Sequence, residues 1–326
     1  MRIRPKAVVF DLDGTLLDGT VVAPAAAAWT FGWRLPPSPG SSPQSMPGSA
    51  TRITVPCSAM WWGIACVTDP TIGRTEHVVV IAHLSDTHLD GSRHRFDRVK
   101  AVMDYLNALP YDLDAVLVTG DVADHGLTEE YEQARDVLTS RHPLLACPGN
   151  HDARSPFREV LLKEPAGDAP VNQAYRTASA MFALCDSSIP GQDDGRLSDE
   201  THAWLTAQLE ITPSEVPVFV AFHHPPLPLQ AGPIDAIRLS GEDRLAELVT
   251  RHRNVVAVLC GHAHSPAATT FADRPLLVAP GIVSTLRMPW EYVGAGWHID
   301  YEVPPAVAFH ALDDLGRVTT HYRLTV

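Results

Sequence analysis

Cysteine is scarce in this chain of 326 residues, and no two cysteines have the Cys-x-x-Cys spacing of a thiolate metal site or a redox motif. The five cysteines are Cys57, Cys66, Cys147, Cys185 and Cys260. An odd number of widely spaced cysteines argues against a disulfide framework and against a zinc site built on thiolates. We therefore expect free thiols and a cytoplasmic location.

Long apolar runs are missing as well. The longest run beyond the N-terminal segment covers residues 59–67, whereas a helix that spans a bilayer needs about 20 apolar residues. At the N-terminus, Asp11 and Asp13 interrupt the apolar stretch that follows three basic residues, which is not the pattern of a secretion signal. The sequence therefore predicts no membrane partner.

Basic residues are outnumbered by acidic ones. The chain has 25 Lys and Arg against 38 Asp and Glu, a formal net charge of −13 at pH 7. This balance argues against a broad surface for duplex nucleic acid or anionic membrane. It leaves room for a small phosphorylated ligand, because bound cations can invert the local field.

The composition divides the chain into three zones. Residues 1–29 contain one short apolar run, an acidic turn and an alanine-rich stretch. Residues 30–75 are dense in proline, serine and glycine and have no lasting apolar period, so they cannot bury enough surface to offset chain entropy. We expect an irregular linker there and one folded domain over residues 76–326.

In the third zone, strand-like and helix-like patterns alternate, which predicts an α/β fold with a mixed strand arrangement towards the C-terminus. Continuous apolar runs predict strands over residues 78–84, 115–119, 144–147, 216–222 and 255–260. Helical spacing predicts helices over residues 96–109, 128–139, 198–209 and 241–251. Short strands are expected near residues 269–271, 276–279, 306–311 and 318–324.

Almost every strand predicted in this zone is followed by a residue that can bind a metal ion. These residues are Asp86, His88, Asp121, Asn150, His151, His223, His262 and His264. In open α/β folds, ligands gather outside the carboxyl ends of the strands, so residues far apart in sequence would meet at one edge. Carboxylates, an amide oxygen and imidazoles without a thiolate suit Mn, Fe or Zn.

Such a ligand set can hold two divalent metal ions. One carboxylate, for which Asp121 is the preferred candidate, can bridge two cations about 3.5–4 Å apart. The pair would polarise phosphoryl oxygens and lower the pKa of a shared water, which could then attack phosphorus in line. His151 could protonate the leaving oxygen or stabilise charge on the phosphoryl group.

Five blocks occur in order along the chain: "SDTH", "TGD", "GNHD", "FHHPP" and "GHAH". From about residue 78 to the C-terminus, this series resembles the calcineurin-like metallophosphoesterase family. The resemblance implies a four-layer α-β-β-α sandwich of two packed sheets, here preceded by a mostly irregular N-terminal extension. It implies one metal held by Asp86, His88, Asp121 and His264, and a second held by Asp121, Asn150, His223 and His262. It also implies that His151 is the catalytic histidine and that Asp152 orients it.

The stretch "GNHDAR" and residues 185–205 further resemble the class III cyclic-nucleotide phosphodiesterase branch. This resemblance implies hydrolysis of 3',5'-cyclic nucleotides such as cAMP, or of similar small phosphodiesters. The implied partners are a small phosphorylated substrate and, as in many related phosphodiesterases, a second copy of the chain. No nucleic-acid partner is expected.

Several residues near these blocks have more than one interpretation. His224 adjoins His223 and could be the ligand instead, although the family's His-x-Pro spacing favours His223. Arg154 could contact substrate or pair with a carboxylate, and residues 93–95 are expected in a solvated loop. The aromatic stretch 288–301 could line a base-binding pocket or seal a dimer, with structural packing as the favoured interpretation.

Residues 8–18, "VVFDLDGTLLD", resemble the first motif of haloacid-dehalogenase-type hydrolases, in which Asp11 would be the nucleophile and Asp13 the general acid/base. That mechanism needs further motifs on a core of its own, and only the irregular zone separates this segment from the second domain. We therefore interpret residues 1–29 as a fragment of that motif. The alternatives to a phosphodiesterase are a phosphatase that uses Asp11 and a metal-stabilised binding module without turnover.

Overall fold

In the computed structural model, residues 78–325 are described, and they form two main sheets with helices packed outside them. The motif fragment expected over residues 1–29 and the linker expected over residues 30–75 lie outside the described residues. Those two assignments therefore stay predictions.

The first sheet has five strands. They are β1 (Val79–Leu84), β2 (Ala115–Thr119), β3 (Leu144–Cys147), β14 (Ala306–Leu312) and β15 (Val318–Leu324). Their spatial order is β15-β14-β1-β2-β3. The neighbours β1, β2 and β3 are parallel, whereas β14 and β15 are antiparallel additions on one side. The parallel strands therefore all end at one edge of the sheet.

The second sheet has six strands. They are β4 (Gln173–Arg176), β5 (Met181–Leu184), β7 (Val218–Ala221), β9 (Val255–Cys260), β10 (Ala267–Phe271) and β11 (Arg274–Val278). Their order is β10-β11-β9-β7-β5-β4, with parallel pairing from β11 to β5 and antiparallel strands at both edges. Two further small sheets each consist of a pair of two-residue strands. In one, β6 (Gly195–Arg196) pairs with β8 (Leu239–Ser240), and in the other, β12 (Thr285–Leu286) pairs with β13 (Ile299–Asp300).

The two sheets share a continuous apolar core. Buried residues of both contribute to it, among them Ile81 and Leu117 from the first sheet and Phe182, Phe219 and Leu259 from the second. The central strands are apolar on both faces because each sheet also packs against helices on its outer face. This pattern explains why the sequence shows continuous apolar runs rather than strict alternation.

Four helices form the outer layers: α1 (Arg93–Asn107), α2 (Thr128–Val137), α3 (Asp199–Glu210) and α4 (Glu242–Arg251). The helices α1 and α2 pack on the first sheet, and α3 and α4 on the second. Ser92 and Ser198 cap α1 and α3, because their hydroxyl oxygens accept hydrogen bonds from backbone N–H groups of the first turn. Shorter helical turns cover Arg154–Pro156, Phe157–Leu162, Gly232–Ile237 and Pro289–Glu291.

The predicted α/β class and the four-layer α-β-β-α sandwich are confirmed. Four strands have the predicted bounds, Ala115–Thr119, Leu144–Cys147, Val255–Cys260 and Val318–Leu324, and Ser198 is the N-cap of α3 as expected. The strands β4 and β5 were not predicted. Within residues 78–325, no helix combines the length and the apolar character that crossing a membrane requires.

Candidate metal centre

The metal-capable residues of the sequence come together at the carboxyl ends of the parallel strands. Asp86 and His88 follow β1, Asp121 follows β2, Asn150 and His151 follow β3, His223 follows β7, and His262 and His264 follow β9. Most of them line one cavity of about 380 Å³, while Asp86 and His223 are fully buried. The edge expected from the sequence is therefore a real cavity with these side chains at its base.

Several of these residues have unusual backbone conformations. The φ angles of Asp86, His88, Asp121, His262 and His264 are 55°, 38°, 48°, 68° and 55°. Non-glycine residues adopt this left-handed region only at a cost, typically of order 1 kcal/mol or more each. Such strain concentrates at functional sites. Here the left-handed conformation turns the backbone sharply where a strand ends, which directs the side chain towards the metal centre.

One cluster consists of Asp86, His88 and His264. Oδ1 of Asp86 lies 3.3 Å from Nε2 of His264 and 3.9 Å from Nε2 of His88. The two Nε2 atoms lie 3.1 Å apart. Two imidazole nitrogens and one carboxylate oxygen thus converge on a point, which is the arrangement a divalent cation needs.

A second cluster lies on the other side of Asp121. Nε2 of His223 is 3.2 Å from Oδ2 of Asp121 and 3.1 Å from Nδ1 of His262. The same Asp121 oxygen is 3.5 Å from Nε2 of His88 in the first cluster. A single carboxylate oxygen therefore stands between the two groups of imidazoles, as a bridging ligand would.

Two buried oxygen atoms in this region have no hydrogen-bond partner among the described residues. They are Oδ1 of Asp86 and Oδ1 of Asn150. A buried acceptor without a partner costs roughly 1–3 kcal/mol, and more when it is charged. Both atoms are hard oxygen ligands beside the histidine clusters. A bound cation would satisfy them, so the residues present fit a metal pair.

Two histidines of the centre each donate one ring N–H to a backbone carbonyl oxygen. Nδ1 of His223 donates to the carbonyl oxygen of Thr119 at 2.6 Å, and Nε2 of His262 donates to the carbonyl oxygen of Ile237 at 3.1 Å. In the neutral ring, the other nitrogen then keeps its lone pair. The facing nitrogens of His223 and His262 are therefore available to a metal, and backbone carbonyls fix their orientation.

His88 is oriented by a carboxylate. Its Nδ1 donates to Oδ1 of Asp124 at 2.9 Å, which leaves Nε2 free to face the cluster. Arg95 in turn binds Asp124 at 2.9 Å and the carbonyl oxygen of His88 at 2.6 Å. The hydrogen bond from His88, together with the charge of Arg95, lowers the pKa of Asp124 below its ordinary value, although burial opposes ionisation.

Charge in the centre is concentrated on Asp121. Burial disfavours its ionised form, but the facing His223 outweighs this and holds the pKa of Asp121 well below its ordinary value. Burial likewise disfavours charged His223, but the Asp121 carboxylate raises its pKa to about 9, so Nε2 of His223 carries a proton at pH 7 that a binding metal ion would displace. Burial lowers the pKa of His264 to about 4, so that ring is neutral at pH 7 as metal binding requires.

His151 lies beside the metal clusters without belonging to either set of predicted ligands. Its backbone N–H donates to Oδ1 of Asp121 at 3.0 Å, and its Nδ1 donates to the carbonyl oxygen of Asp124 at 2.8 Å. Burial disfavours its charged form, but the Asp121 carboxylate outweighs this and raises the pKa of His151. Nε2 is thus the nitrogen that can carry a proton towards a substrate.

Asp152 lies next to His151 and joins two loops of the centre. Its carboxylate accepts hydrogen bonds from the backbone of Val122, Ala123 and Gly149 and from the hydroxyl of Tyr131. These contacts tie the loop after β2 to the loop after β3, while the Asp124 carbonyl holds Nδ1 of the His151 ring. The role predicted for Asp152, to orient His151, would therefore act through the backbone, and it stays a prediction.

The structure bears on the alternatives left open at two positions. Nε2 of His223 lies 3.2 Å from Oδ2 of Asp121, whereas Nδ1 of His224 lies 2.8 Å from the hydroxyl oxygen of Ser187. His224 nevertheless forms a group with His223 and His262 that could hold a metal ion, so the choice of His223 as the ligand stays a prediction. Arg154 pairs with the buried carboxylate of Asp186 at 2.8 Å and donates to the carbonyl oxygen of Ser188.

Some residues at this site were not predicted as functional. Arg95 was expected in a solvated loop, yet it lines the cavity together with Asp124. Ser284, whose hydroxyl lies 2.7 Å from Nδ1 of His264, follows no motif. Trp297 and Tyr301, for which packing was favoured, also line the cavity. Only Asp124 carried a usable signal, because it falls three residues after the metal-capable Asp121.

Comparison with known proteins agrees with this geometry. A family model described as calcineurin-like phosphoesterase matches residues 79–266. The glycerophosphodiester phosphodiesterase GpdQ of Enterobacter lignolyticus is 36% identical over 244 residues, covering 71% of this chain and 86% of that protein. A probable cyclic nucleotide phosphodiesterase of Rhodococcus erythropolis is 34% identical over 235 residues, covering 68% of this chain and 76% of that protein.

Among solved structures, a purple acid phosphatase from seeds of yellow lupin (Lupinus luteus) superposes with a TM-score of 0.56 at 14% identity. The match covers 77% of this chain and 52% of that one, and it shows likeness of fold alone. The resemblance of residues 8–18 to the haloacid-dehalogenase motif is not borne out, since the family match begins at residue 79 and that segment lies outside the described residues. The chain belongs to the calcineurin-like phosphoesterase family, whose members are hydrolytic enzymes.

Proposed function

We propose that this chain is a binuclear metal-dependent phosphodiesterase that hydrolyses 3',5'-cyclic nucleotides such as cAMP. The observation that carries the proposal is the position of Asp121, whose Oδ2 lies 3.5 Å from His88 and 3.2 Å from His223 in two separate clusters. Relatives described as cyclic nucleotide phosphodiesterases support the substrate class, including a probable one from Rhodococcus erythropolis.

In this proposal the two clusters form two metal sites that share one ligand. One ion would be held by Asp86, His88, Asp121 and His264, and the other by Asp121, Asn150, His223 and His262. Oxygen and imidazole ligands favour Mn, Fe or Zn. When bound, such a pair polarises phosphoryl oxygens and activates water for attack on phosphorus.

The chain's own residues would do the rest of the chemistry. His151 would deliver a proton from Nε2 to the leaving oxygen, because its Nδ1 is held by the Asp124 carbonyl. Arg95 would keep Asp124 ionised, and Asp124 would keep the His88 ring in the orientation that binds metal. Asp152 would hold the two loops that carry Asp121 and His151 at a fixed separation.

A second substrate class has support of its own. The relative from Enterobacter lignolyticus, which aligns with 71% of this chain, is described as acting on glycerophosphodiesters. The same centre would serve either diester, since the reacting phosphoryl group is shared.

The test is a panel of cAMP, cGMP, a glycerophosphodiester and a monoester, each assayed with the chain loaded with Mn, Fe or Zn. We expect diesters to be hydrolysed faster than the monoester, with cAMP among the good substrates. Hydrolysis of the monoester alone, or no metal-dependent hydrolysis, would contradict the proposal.

Location and assembly stay predictions. The buried free thiols of Cys147, Cys185 and Cys260 support a cytoplasmic location. A homodimer is expected, and light scattering on the purified chain tests it.

A further inference from the structure

A short hairpin beside the metal centre carries several exposed aromatic residues. We call residues 285–301 the arm: it begins with β12 and ends just after β13, and Leu286 pairs with Ile299 between them. Arg287 closes its base through a 2.7 Å ion pair with Asp300 and a backbone hydrogen bond to His298. The arm is therefore a defined element attached next to the metal ligands.

Large apolar side chains of the arm face the cavity rather than a core. Trp297, Ile299 and Tyr301 line it, although 50%, 42% and 47% of their surfaces are exposed. Among residues 78–325, neither the indole N–H of Trp297 nor the hydroxyl of Tyr301 has a hydrogen-bond partner, and neither ring stacks on another. Because leaving such area in water costs free energy, an exposed aromatic surface inside a cavity points to a ligand.

The cavity is lined by residues of two chemically different kinds. Metal-capable residues, together with Arg95 and His151, supply polar groups suited to a phosphoryl group. Arm residues, with Ile234, Ile237 and Val283, supply apolar surface. A volume of about 380 Å³ is within the range of small-molecule sites, which bury most of their ligand.

We propose that Trp297 and Tyr301 bind the flat organic group of the substrate, and that this group is a nucleobase. The inference rests on the proposed function, since it places the phosphoryl group at the metal centre and the base against the arm. A nucleobase offers a π-face that stacks on an aromatic ring whatever its hydrogen-bonding pattern. A glycerol or ethanolamine group has no such face and would leave the aromatic surface uncovered.

The chain offers a matched control in the same arm. Trp290 is also a tryptophan and is 73% exposed, but it does not line the cavity. We therefore compare Trp297→Ala and Trp297→Phe with Trp290→Ala, each as the full chain loaded with Mn. Tyr301→Ala gives an independent probe of the same surface.

Kinetics on two substrates separate base recognition from general damage. For cAMP, Trp297→Ala should raise KM about tenfold, the loss expected for one base-stacking contact, while Trp297→Phe stays within about threefold of wild type. For glycerophosphoethanolamine, kcat/KM should stay within about twofold in both variants, and Trp290→Ala should match wild type on both substrates. Equal losses on the two substrates, or preferential loss of glycerophosphoethanolamine hydrolysis, would overturn the proposal.

Equilibrium binding keeps this inference separate from the proposed function. Calorimetric titration with AMP and with ribose 5-phosphate compares two ligands that differ by the base. Wild type should bind AMP about tenfold more tightly, and Trp297→Ala should bind the two within about twofold of each other. Wild type could prefer AMP over ribose 5-phosphate, and Trp297→Ala lose that preference, even if no diester is hydrolysed. In that case the arm inference stands and the phosphodiesterase proposal fails. Equal binding of the two ligands by wild type would overturn the inference even if cAMP is hydrolysed.

Discussion

At the residue scale, the chemistry depends on one carboxylate oxygen. Oδ2 of Asp121 faces imidazole nitrogens of His88 and His223, and its other oxygen accepts the backbone N–H of His151. An amide in place of this carboxylate keeps the shape but removes the negative charge that offsets two cations.

We predict that Asp121→Asn lowers kcat for a diester by at least about 100-fold, because a bridging ligand contributes more than the outer partners, whose loss costs roughly 10–100-fold. Steady-state hydrolysis with saturating Mn measures this. Asp11→Asn, far from the metal-centre residues in the sequence, is the control and should retain wild-type turnover. Wild-type rates from Asp121→Asn would remove the basis of the site assignment.

Asp124 acts through His88, because its carboxylate accepts a 2.9 Å hydrogen bond from Nδ1 of that ring. We predict that Asp124→Asn weakens Mn binding about 10–100-fold, because the ring loses the partner that fixes its orientation. Titration with Mn measures the affinity. Asp104→Asn, which removes an exposed carboxylate paired with Lys100 on α1, should leave it unchanged. An Asp124→Asn variant with wild-type Mn affinity would show that the contact is incidental.

The sequence predicted the candidate metal ligands, but not most of the groups that hydrogen-bond to them and fix their orientation. Residues such as Asp86 and His223 could be found because each follows an apolar strand and has a side chain of the right chemistry. The carbonyl oxygens of Thr119 and Ile237 could not, since any residue type supplies a carbonyl and only the fold decides where it points. The same limit applies to Asp152, whose partners are mostly backbone N–H groups that the sequence could not indicate.

At the element scale, the turn between β2 and Asp121 has no room for a side chain. Gly120 has φ of 90°, and a Cβ placed there would lie 2.5 Å from Nδ1 of His223. The chain must pass this close for the Thr119 carbonyl to hold the His223 ring.

We therefore predict that Gly120→Ala displaces His223 and abolishes most Mn-dependent hydrolysis. Gly91→Ala is a matched control, because Gly91 also has a positive φ of 82° but nothing lies within 4 Å of its added Cβ. Gly91→Ala should lose about 1–2 kcal/mol of stability from backbone strain in denaturant unfolding, and Gly120→Ala should lose more, because its added Cβ would also lie 2.8 Å from the backbone N of Gly149. Only Gly120→Ala should lose activity, and equal activity of the two would contradict the steric account.

Long apolar runs made most of the central strands predictable. The strands β1, β2 and β9 are buried on both faces and read as continuous apolar runs. By contrast, β4 is a short edge strand with alternate exposed residues and has no apolar run. The missed strand β5 is buried and apolar and has the same length as β3, so its length does not explain why it was missed. The arm was missed because a two-residue strand pair has no sequence period.

At the scale of the whole molecule, a buried histidine chain links the strands of the first sheet. Nδ1 of His83 lies 3.0 Å from Nε2 of His310, and Nε2 of His83 lies 2.9 Å from the Thr119 hydroxyl. Burial, with the charge of His310 as a smaller cause, lowers the pKa of His83 well below its ordinary value. Burial lowers the pKa of His310 to about 3. Both rings are therefore neutral in the folded protein.

The unfolded chain protonates such histidines near pH 6.5, so it binds more protons than the folded chain below that pH. The contribution of the two buried histidines to the free energy of unfolding is fully present above about pH 6.5. It is lost as the pH falls towards 3, by about 1.4 kcal/mol per pH unit for each histidine. We predict that His310→Leu flattens the fall in unfolding free energy between pH 6.5 and 4.5 by about that slope.

Denaturant unfolding at several pH values measures this effect. His321→Leu removes an exposed histidine from the neighbouring strand β15 and should keep the wild-type slope. A His310→Leu variant whose stability falls as steeply as wild type would show that the buried chain does not govern the acid sensitivity of the fold.

The central claim is that two divalent ions occupy the centre and share Asp121. The most direct test is the metal content per chain, measured by mass spectrometry of the purified protein after equilibration with Mn and removal of free ion. The account predicts two ions per wild-type chain. Wild-type protein that never retains more than one ion, whether offered Mn, Fe or Zn, would contradict it.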